Sequence, residues 1–90
     1  MSFRDNAAQN RYELDVEGHL SFADYRESGG ARVIHHVETP IQARGRGNAA
    51  QLMAAIVADA KARSQKLRAL CPYAVAYFKR HPNDVASVRA

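Results

Sequence analysis

The sequence predicts an α+β fold with a mixed sheet, because its apolar residues change period partway along the chain. Up to residue 38 they alternate with polar residues or are β-branched, as in strands that bury one face. From residue 47 they recur every three or four positions, as on one face of a helix. A short apolar strand and a second short helix follow, which gives the order β-β-β-α-β-α. The 90 residues fit one domain, 1–90, with its core at about residues 10–82.

Three strands joined by tight turns are predicted in the first half of the chain. Residues 10–17 alternate apolar and charged side chains, so the first strand is expected to have one buried face and one solvent-exposed, acidic face. In the second strand, residues 20–26, the alternation slips between Phe22 and Tyr25, which indicates a β-bulge. A Ser-Gly-Gly turn leads to the third strand, residues 31–38, because glycine tolerates the positive φ of tight hairpins.

The two ends of the chain carry no such pattern. Residues 1–9 are polar and irregular and are expected to be a loose leader. Residues 83–90 are expected to be a frayed tail.

A long helix is predicted after the third strand. It runs from Gly47 to about Arg63, and its apolar face is rich in alanine, so it can lie close to a sheet. A fourth strand is predicted at residues 66–71, and Pro72 suits the first turn of a short helix that ends before His81. If the third and fourth strands are parallel, the long helix is a right-handed crossover on one face of the sheet.

Basic residues are concentrated in the second half of the chain. Residues 1–41 carry four Lys or Arg and seven Asp or Glu, whereas residues 42–90 carry nine Lys or Arg and two acids. This balance favours a polyanionic partner such as nucleic acid, a membrane surface or a phosphate-bearing cofactor, although a solvated basic face has the same composition. No apolar run is long enough to cross a membrane and no signal peptide is evident, so a cytoplasmic protein is expected. One cysteine forms neither an internal disulfide nor a closed zinc site, so no metal is expected.

A glycine-rich turn, Gln42–Ala49, stands between the third strand and the long helix. Its two glycines, one residue apart, let a phosphate approach the backbone N–H groups at the start of the helix, and its two arginines add positive charge. The segment is neither a Walker loop nor a G-x-G-x-x-G dinucleotide motif. By itself it is equally well explained as a structural turn with two solvated arginines.

Three features of the sequence occur together: a histidine on the third strand, the turn Arg44–Gly47, and the segment Cys71–Tyr73 after the fourth strand. In this combination the chain resembles the GNAT superfamily of acyl-CoA N-acyltransferases over about residues 10–82, and more narrowly its small single-domain N-acetyltransferase-like members. The resemblance implies a sheet that opens between the third and fourth strands, with acetyl-CoA or coenzyme A in the opening. The cofactor-binding residues that it implies are Val37, Thr39, Gln42, Arg44, Gly45, Arg46, Gly47, Asn48 and Ala49.

The chain departs from the family pattern at two places. The family usually has threonine and then valine at the two positions that Val37 and Thr39 occupy here, so the two residue types are exchanged. Because residues two apart lie on the same face of a strand, that face keeps the same two side chains and only the position of the hydroxyl changes. Asn48 stands where the family usually has an aliphatic residue, and its amide could bond a phosphate or cap the helix.

The resemblance also implies three catalytic residues. His36 matches the family histidine and could be a general base, or else a hydrogen-bonded residue of the sheet. Cys71 could orient the thioester, accept the acetyl group first, or be a small buried hydrophobe, and it precedes a helix N-terminus, where thiolates are favoured. Tyr77 is the candidate proton donor to the departing thiolate, and it could equally be a packing residue.

The function that the resemblance implies is an acetyl-CoA-dependent N-acetyltransferase that acts on an amine by direct transfer, as a monomer or weak dimer. A coenzyme A-binding module with little catalysis is the alternative, since 90 residues leave few loops for an acceptor site. A basic nucleic-acid-binding protein is a third hypothesis, which is less favoured because no nucleic-acid motif occurs.

Overall fold

In the computed structural model, which describes residues 1–90, the chain forms a five-stranded sheet and three α-helices. The predicted α+β class with a mixed sheet is confirmed. The elements in chain order are β1 (Ser2–Asn6), a 3₁₀-helix (Ala7–Gln9), β2 (Arg11–Val16), β3 (His19–Ser28), β4 (Ala31–Glu38), a 3₁₀-helix (Ile41–Ala43), α1 (Asn48–Arg63), β5 (Lys66–Ala69), α2 (Pro72–Arg80) and α3 (Pro82–Val85).

The order of strands in the sheet follows the order in the chain. The first four strands are antiparallel neighbours, whereas β5 is parallel to β4, with Ala31–Ile34 opposite Lys66–Ala69. α1 connects this parallel pair and is therefore the predicted crossover helix. The bulge predicted in the second strand lies on its neighbour instead. The register shifts between Asp24 and Tyr25, but the extra residue is His35 of β4, and β3 itself alternates without a slip through Ser21, Ala23 and Tyr25.

The expectation of a loose leader at residues 1–9 is wrong. All five residues of β1 pair with β2, so the sheet has a strand that the order β-β-β-α-β-α lacks. Phe3 stacks on the ring of Tyr12, and Asp5 bonds to Tyr25, so β1 turns one apolar and one charged side chain toward the helices. An inward carboxylate breaks the apolar alternation by which a strand is recognised.

The expectation of a frayed tail at residues 83–90 is also wrong. Val85 and Val88 are buried in the core. At the outer edge of β5, the Leu67 N–H donates to the Val88 carbonyl at 2.7 Å, and the Ala90 N–H donates to the Leu67 carbonyl at 2.8 Å. The tail therefore adds a short parallel bridge to the sheet.

One hydrophobic core lies between the sheet and the helices. The inward side chains of β2 to β5 pack with one face of α1 and of α2, and the tail closes the core at its end. The opposite face of the sheet is polar, with the ion pairs Arg4–Glu13 and Arg11–Asp24 between neighbouring strands. None of the helices has both the length and the apolar character needed to span a membrane.

Asp5 ties β1 to the rest of the fold. Its side chain is 4% exposed, accepts a hydrogen bond from the Tyr25 hydroxyl at 2.6 Å and pairs with the Arg32 guanidinium at 2.5 Å. Arg32 also donates to the Tyr12 hydroxyl at 3.0 Å and lies 4.5 Å from the centre of the Tyr25 ring. Burial raises the pKa of both tyrosines, and the hydrogen bond to Asp5 raises the pKa of Tyr25 further.

Candidate active-site cleft

The sheet opens between β4 and β5. Their pairing ends with Ile34 opposite Ala69, and the N–H groups of Leu70 and Cys71 both donate to the Ile34 carbonyl, at 3.0 and 3.2 Å. β5 ends two residues before its predicted end because the chain turns there into α2. Beyond Ile34, the residues His35–Glu38 of β4 have no strand on this side, and they form an open edge.

The turn before α1 leaves six successive backbone N–H groups without an acceptor. The Arg44 N–H donates to the Ile41 carbonyl at 3.3 Å, and the next paired amide is that of Gln51, which donates to the Gly47 carbonyl at 3.0 Å. The amides of Gly45–Ala50 between them pair with no group of the protein, and no side chain caps the helix. Free N–H groups at the positive end of a helix dipole bind phosphates and other anions.

A cavity of about 200 Å³ lies over this turn. The backbone needs glycine at two positions, since φ is +82° at Gly45 and +78° at Gly47. A methyl group on either glycine would meet no atom within 4 Å, so the space over the turn is free for a ligand. The residues present therefore fit a pyrophosphate group, which needs both donors and room. The cavity is lined by Thr39, Ala43, Arg44, Gly45, Gly47, Asn48, Ala49, Ala50 and Tyr73.

Besides Tyr73, three polar side chains belong to this lining. Arg44 Nε donates to the Thr39 carbonyl at 3.1 Å, which holds the arginine beside the cavity. The Thr39 hydroxyl is 3.1 Å from the hydroxyl of the buried Ser21, so it is bonded to β3. The residue Asn48 is only 4% exposed and lines the cavity. Because its side chain makes no hydrogen bond within the chain, its amide is available to a ligand.

His36 lies on the open part of β4. Its Nε2 is 3.2 Å from Oε1 of Glu38, and the centres of the His36 and Phe22 rings are 5.9 Å apart. The His36 side chain is 51% exposed. With Nε2–H assigned as the donor to Glu38, Nδ1 is the ring nitrogen without a partner in the chain.

Cys71 lies at the apex of the opening, where it is the N-cap of α2. The residue is 8% exposed, and its Sγ accepts a hydrogen bond from the Ala74 N–H at 3.4 Å. Because its own N–H is bonded to Ile34, Cys71 fixes the start of α2 against β4. The thiol thus has a structural task, and its chemical role stays a prediction.

α2 carries two tyrosines one helical turn apart. Tyr73 lines the cavity, whereas Tyr77 does not, and the centre of the Tyr77 ring lies 4.2 Å from that of His81. Burial raises the pKa of both tyrosines, so both keep their protons at neutral pH. The resemblance implied Tyr77 as the proton donor, whereas the tyrosine that lines the cavity is Tyr73, the last residue of the segment Cys71–Tyr73.

The other predicted cofactor residues are not all brought together. Gln42 and Arg46 are exposed, and neither lines the cavity. Val37 packs against the core. Ala43, within the predicted turn, and Ala50, just after it, also line the cavity. Neither was among the cofactor residues that the resemblance implied, because a small side chain beside a ligand site leaves no chemical signal.

A family model described as GCN5-related N-acetyl-transferase matches residues 11–88. No curated protein matches the chain. The matched residues include the open edge of β4, the glycine turn and Cys71, which are the features that carry the resemblance seen in the sequence. Because the match spans most of the chain and its whole cleft, the protein belongs to the family of GCN5-related N-acetyltransferases.

Proposed function

We propose that the protein is an N-acetyltransferase that uses acetyl-CoA and acts on an amine. The observation that carries this proposal is the run of six free N–H groups at Gly45–Ala50, beside the open edge of β4. Acetyl-CoA supplies the acetyl group as a thioester, which amines attack. The chain belongs to a family of acetyltransferases, and its site for pyrophosphate lies next to an open strand. Together these favour acetyl-CoA as the ligand over free phosphate or a nucleotide.

The residues of the turn would hold the two phosphates. The amides of Gly45–Ala50 supply the donors, and the side-chain amide of Asn48 adds another. Arg44 beside the cavity and the exposed Arg46 add positive charge. The open edge His35–Glu38 presents backbone groups to the pantetheine arm, much as a sheet edge binds an added strand.

His36 is proposed as the base that prepares the acceptor. A proton passes from the ammonium group of the acceptor to Nδ1, which frees the nitrogen lone pair for attack on the thioester carbonyl. Glu38 holds the other ring nitrogen and so fixes the orientation of the imidazole. Free N–H groups of the open strand polarise the carbonyl. Tyr77 or Tyr73 on α2 donates its proton to the thiolate as the carbon–sulfur bond breaks, and it takes in exchange the second proton that the attacking nitrogen loses on becoming an amide.

A matched pair of glycine variants tests the binding of acetyl-CoA. Gly47 and Gly30 have nearly the same φ, +78° and +80°, and a methyl group at either would meet no atom within 4 Å. The two alanine variants therefore carry similar backbone strain, on the order of 1–3 kcal/mol. Only Gly47→Ala places a methyl group over the phosphate site, so we expect acetyl-CoA to bind it at least about tenfold more weakly in calorimetry. The Kd of Gly30→Ala is expected to equal that of the wild type.

The wild-type protein is also expected to melt at a higher temperature with acetyl-CoA, and not with duplex DNA at the same salt concentration. Equal affinity of the two glycine variants, or stabilisation by DNA alone, would contradict the proposal. Binding of acetyl-CoA without transfer to any amine in a broad panel would identify a coenzyme A-binding module instead.

A further inference from the structure

Ser21 is a fully buried polar residue of β3, and it lines no cavity of the protein. Its hydroxyl oxygen lies 3.1 Å from the hydroxyl oxygen of Thr39, and it has no other partner in the chain. Burying a hydroxyl costs free energy that its hydrogen bond must offset, and Ala23 fills the same face of β3 without one. The bond to Thr39 is therefore what distinguishes serine from alanine at this position.

The hydroxyl pair extends the contact between β3 and β4 beyond the end of their pairing. The last paired residues are Phe22 and Glu38, and Ser21 and Thr39 are the next residue on each side. None of the backbone hydrogen bonds outside the helices and strands involves Thr39. The bond between the two side chains thus ties Thr39 to the sheet.

Thr39 in turn holds Arg44 beside the cavity over the glycine turn. The Thr39 carbonyl accepts a hydrogen bond from Nε of Arg44 at 3.1 Å, and both residues line that cavity. Arg44 takes part in no ion pair, so its two terminal guanidinium nitrogens have no partner in the chain. Such nitrogens bind phosphate oxygens with charge-assisted hydrogen bonds.

We propose that Ser21 is a positioning residue for the phosphate site, which through Thr39 holds Arg44 ready for a phosphate oxygen. An arginine that is held in advance loses less conformational freedom when the ligand arrives, so it binds more tightly than a mobile one. Ser21 itself touches no ligand. The family usually has valine at the position of Thr39, and valine has no hydroxyl for this bond, so the arrangement is a feature of this chain. The proposal rests on the acetyl-CoA site proposed above and adds a residue of the core to it.

The first test uses the full chain without a ligand. By nuclear magnetic resonance, the Nε–H proton of Arg44 should exchange with solvent at least about threefold more slowly than that of Arg46, which is exposed and makes no hydrogen bond in the chain. Ser21→Ala and Thr39→Val each remove one hydroxyl of the pair and should bring the exchange of Arg44 to the rate of Arg46. Thr39→Ser keeps the hydroxyl and should keep the slow exchange. Equal exchange of the two arginines in the wild type, or slow exchange that persists in Ser21→Ala or in Thr39→Val, would overturn the proposal.

The second test is a double-mutant cycle for binding. Ser21→Ala should weaken acetyl-CoA binding by about three- to tenfold in calorimetry, which is the usual cost of immobilising one long side chain. In the Arg44→Gln background the same substitution should cause no further loss, because Ser21 acts through Arg44. Tyr25→Phe is the matched control, since it removes another buried hydroxyl of β3 that is bonded to Asp5 instead, and it should keep the wild-type Kd.

Three results of the cycle contradict a positioning role for Ser21. They are an unchanged Kd in Ser21→Ala, an equal loss with and without Arg44, and an equal loss in Tyr25→Phe. Inorganic pyrophosphate is the second probe in the same measurements. A wild type that binds pyrophosphate with the expected cycle, but not acetyl-CoA, contradicts the proposed function alone, whereas a wild type that binds neither overturns both proposals.

Discussion

His36 and its neighbour His35 are both exposed on β4, but only His36 is bonded to a carboxylate. His36→Gln is expected to lower kcat/KM by about 10²–10⁴-fold, which is the usual contribution of a general base. His35→Gln is the matched control and is expected to keep the wild-type rate. The release of free thiol from acetyl-CoA, measured with a panel of amines, gives both rates. An equal loss in the two variants would show that His36 has no special role.

Cys71 can be tested by separating its role as a cap from its role as a nucleophile. Cys71→Ser keeps an acceptor for the Ala74 N–H, whereas Cys71→Ala removes it and is expected to cost about 1 kcal/mol of unfolding free energy. Direct transfer predicts that both folded variants retain activity, and that acetyl-CoA alone leaves no acetyl adduct by mass spectrometry. Loss of a nucleophile, by contrast, can cost about 10⁶-fold in rate. An adduct on Cys71 that passes to an amine at the turnover rate would demonstrate the covalent route.

The residues of the site differ in how far the sequence could predict them. The turn at Gly45 and Gly47 was predictable, because a positive φ favours glycine at both positions. The choice between Tyr73 and Tyr77 was not, because both lie on one side of α2, one turn apart. Which of them lines the cavity depends on how α2 packs against the start of α1, and no local pattern in the sequence contains that packing.

At the level of elements, β1 is held to the fold by the buried carboxylate of Asp5. Removing this one charge therefore measures how much the attachment of β1 contributes to the free energy of unfolding. Asp5→Asn keeps the shape of the side chain but removes the charge that balances Arg32, whose side chain is 12% exposed. Arg32 keeps its ion pair with the exposed Glu27 at 3.1 Å, so the expected loss is that of a charge-assisted hydrogen bond, about 1.5–3 kcal/mol in denaturant unfolding. Asp84→Asn is the control, because Asp84 and Lys61 are both well exposed and their pair should contribute at most about 1 kcal/mol. Equal losses in the two variants would contradict this account of β1.

The elements that the sequence predicted and those it missed differ in how they are stabilised. β2 to β4 and α1 carry their own apolar periodicity, so their bounds were close to those observed. β1 depends on Asp5, which is anchored by residues 20 and 27 positions away. The tail depends on hydrogen bonds to Leu67, more than 20 residues earlier. Such long-range anchors leave no periodic signal in their own segments.

For the whole molecule, the tyrosines predict how stability depends on pH. All four have raised pKa values, mainly through burial. The folded protein therefore holds these protons more tightly than the unfolded chain, in which tyrosine titrates near pH 10. The free energy of unfolding should not depend on these groups well below pH 10, and it should fall as the pH rises above that value. Urea midpoints measured from neutral to alkaline pH check this, and an unchanged midpoint above pH 10 would contradict it.

The cleft arises from unequal strand lengths, since β4 has eight residues and β5 has four. At about 3.3 Å per residue, the difference leaves roughly 13 Å of strand edge free. No pairing has to break and no segment has to fold before a ligand reaches this edge, so the site is preorganised and its occupation carries little entropic penalty from ordering the chain. We therefore expect the proposed acetyl-CoA to associate in a single bimolecular step, at a rate that falls with salt because the basic half of the chain attracts the anionic cofactor.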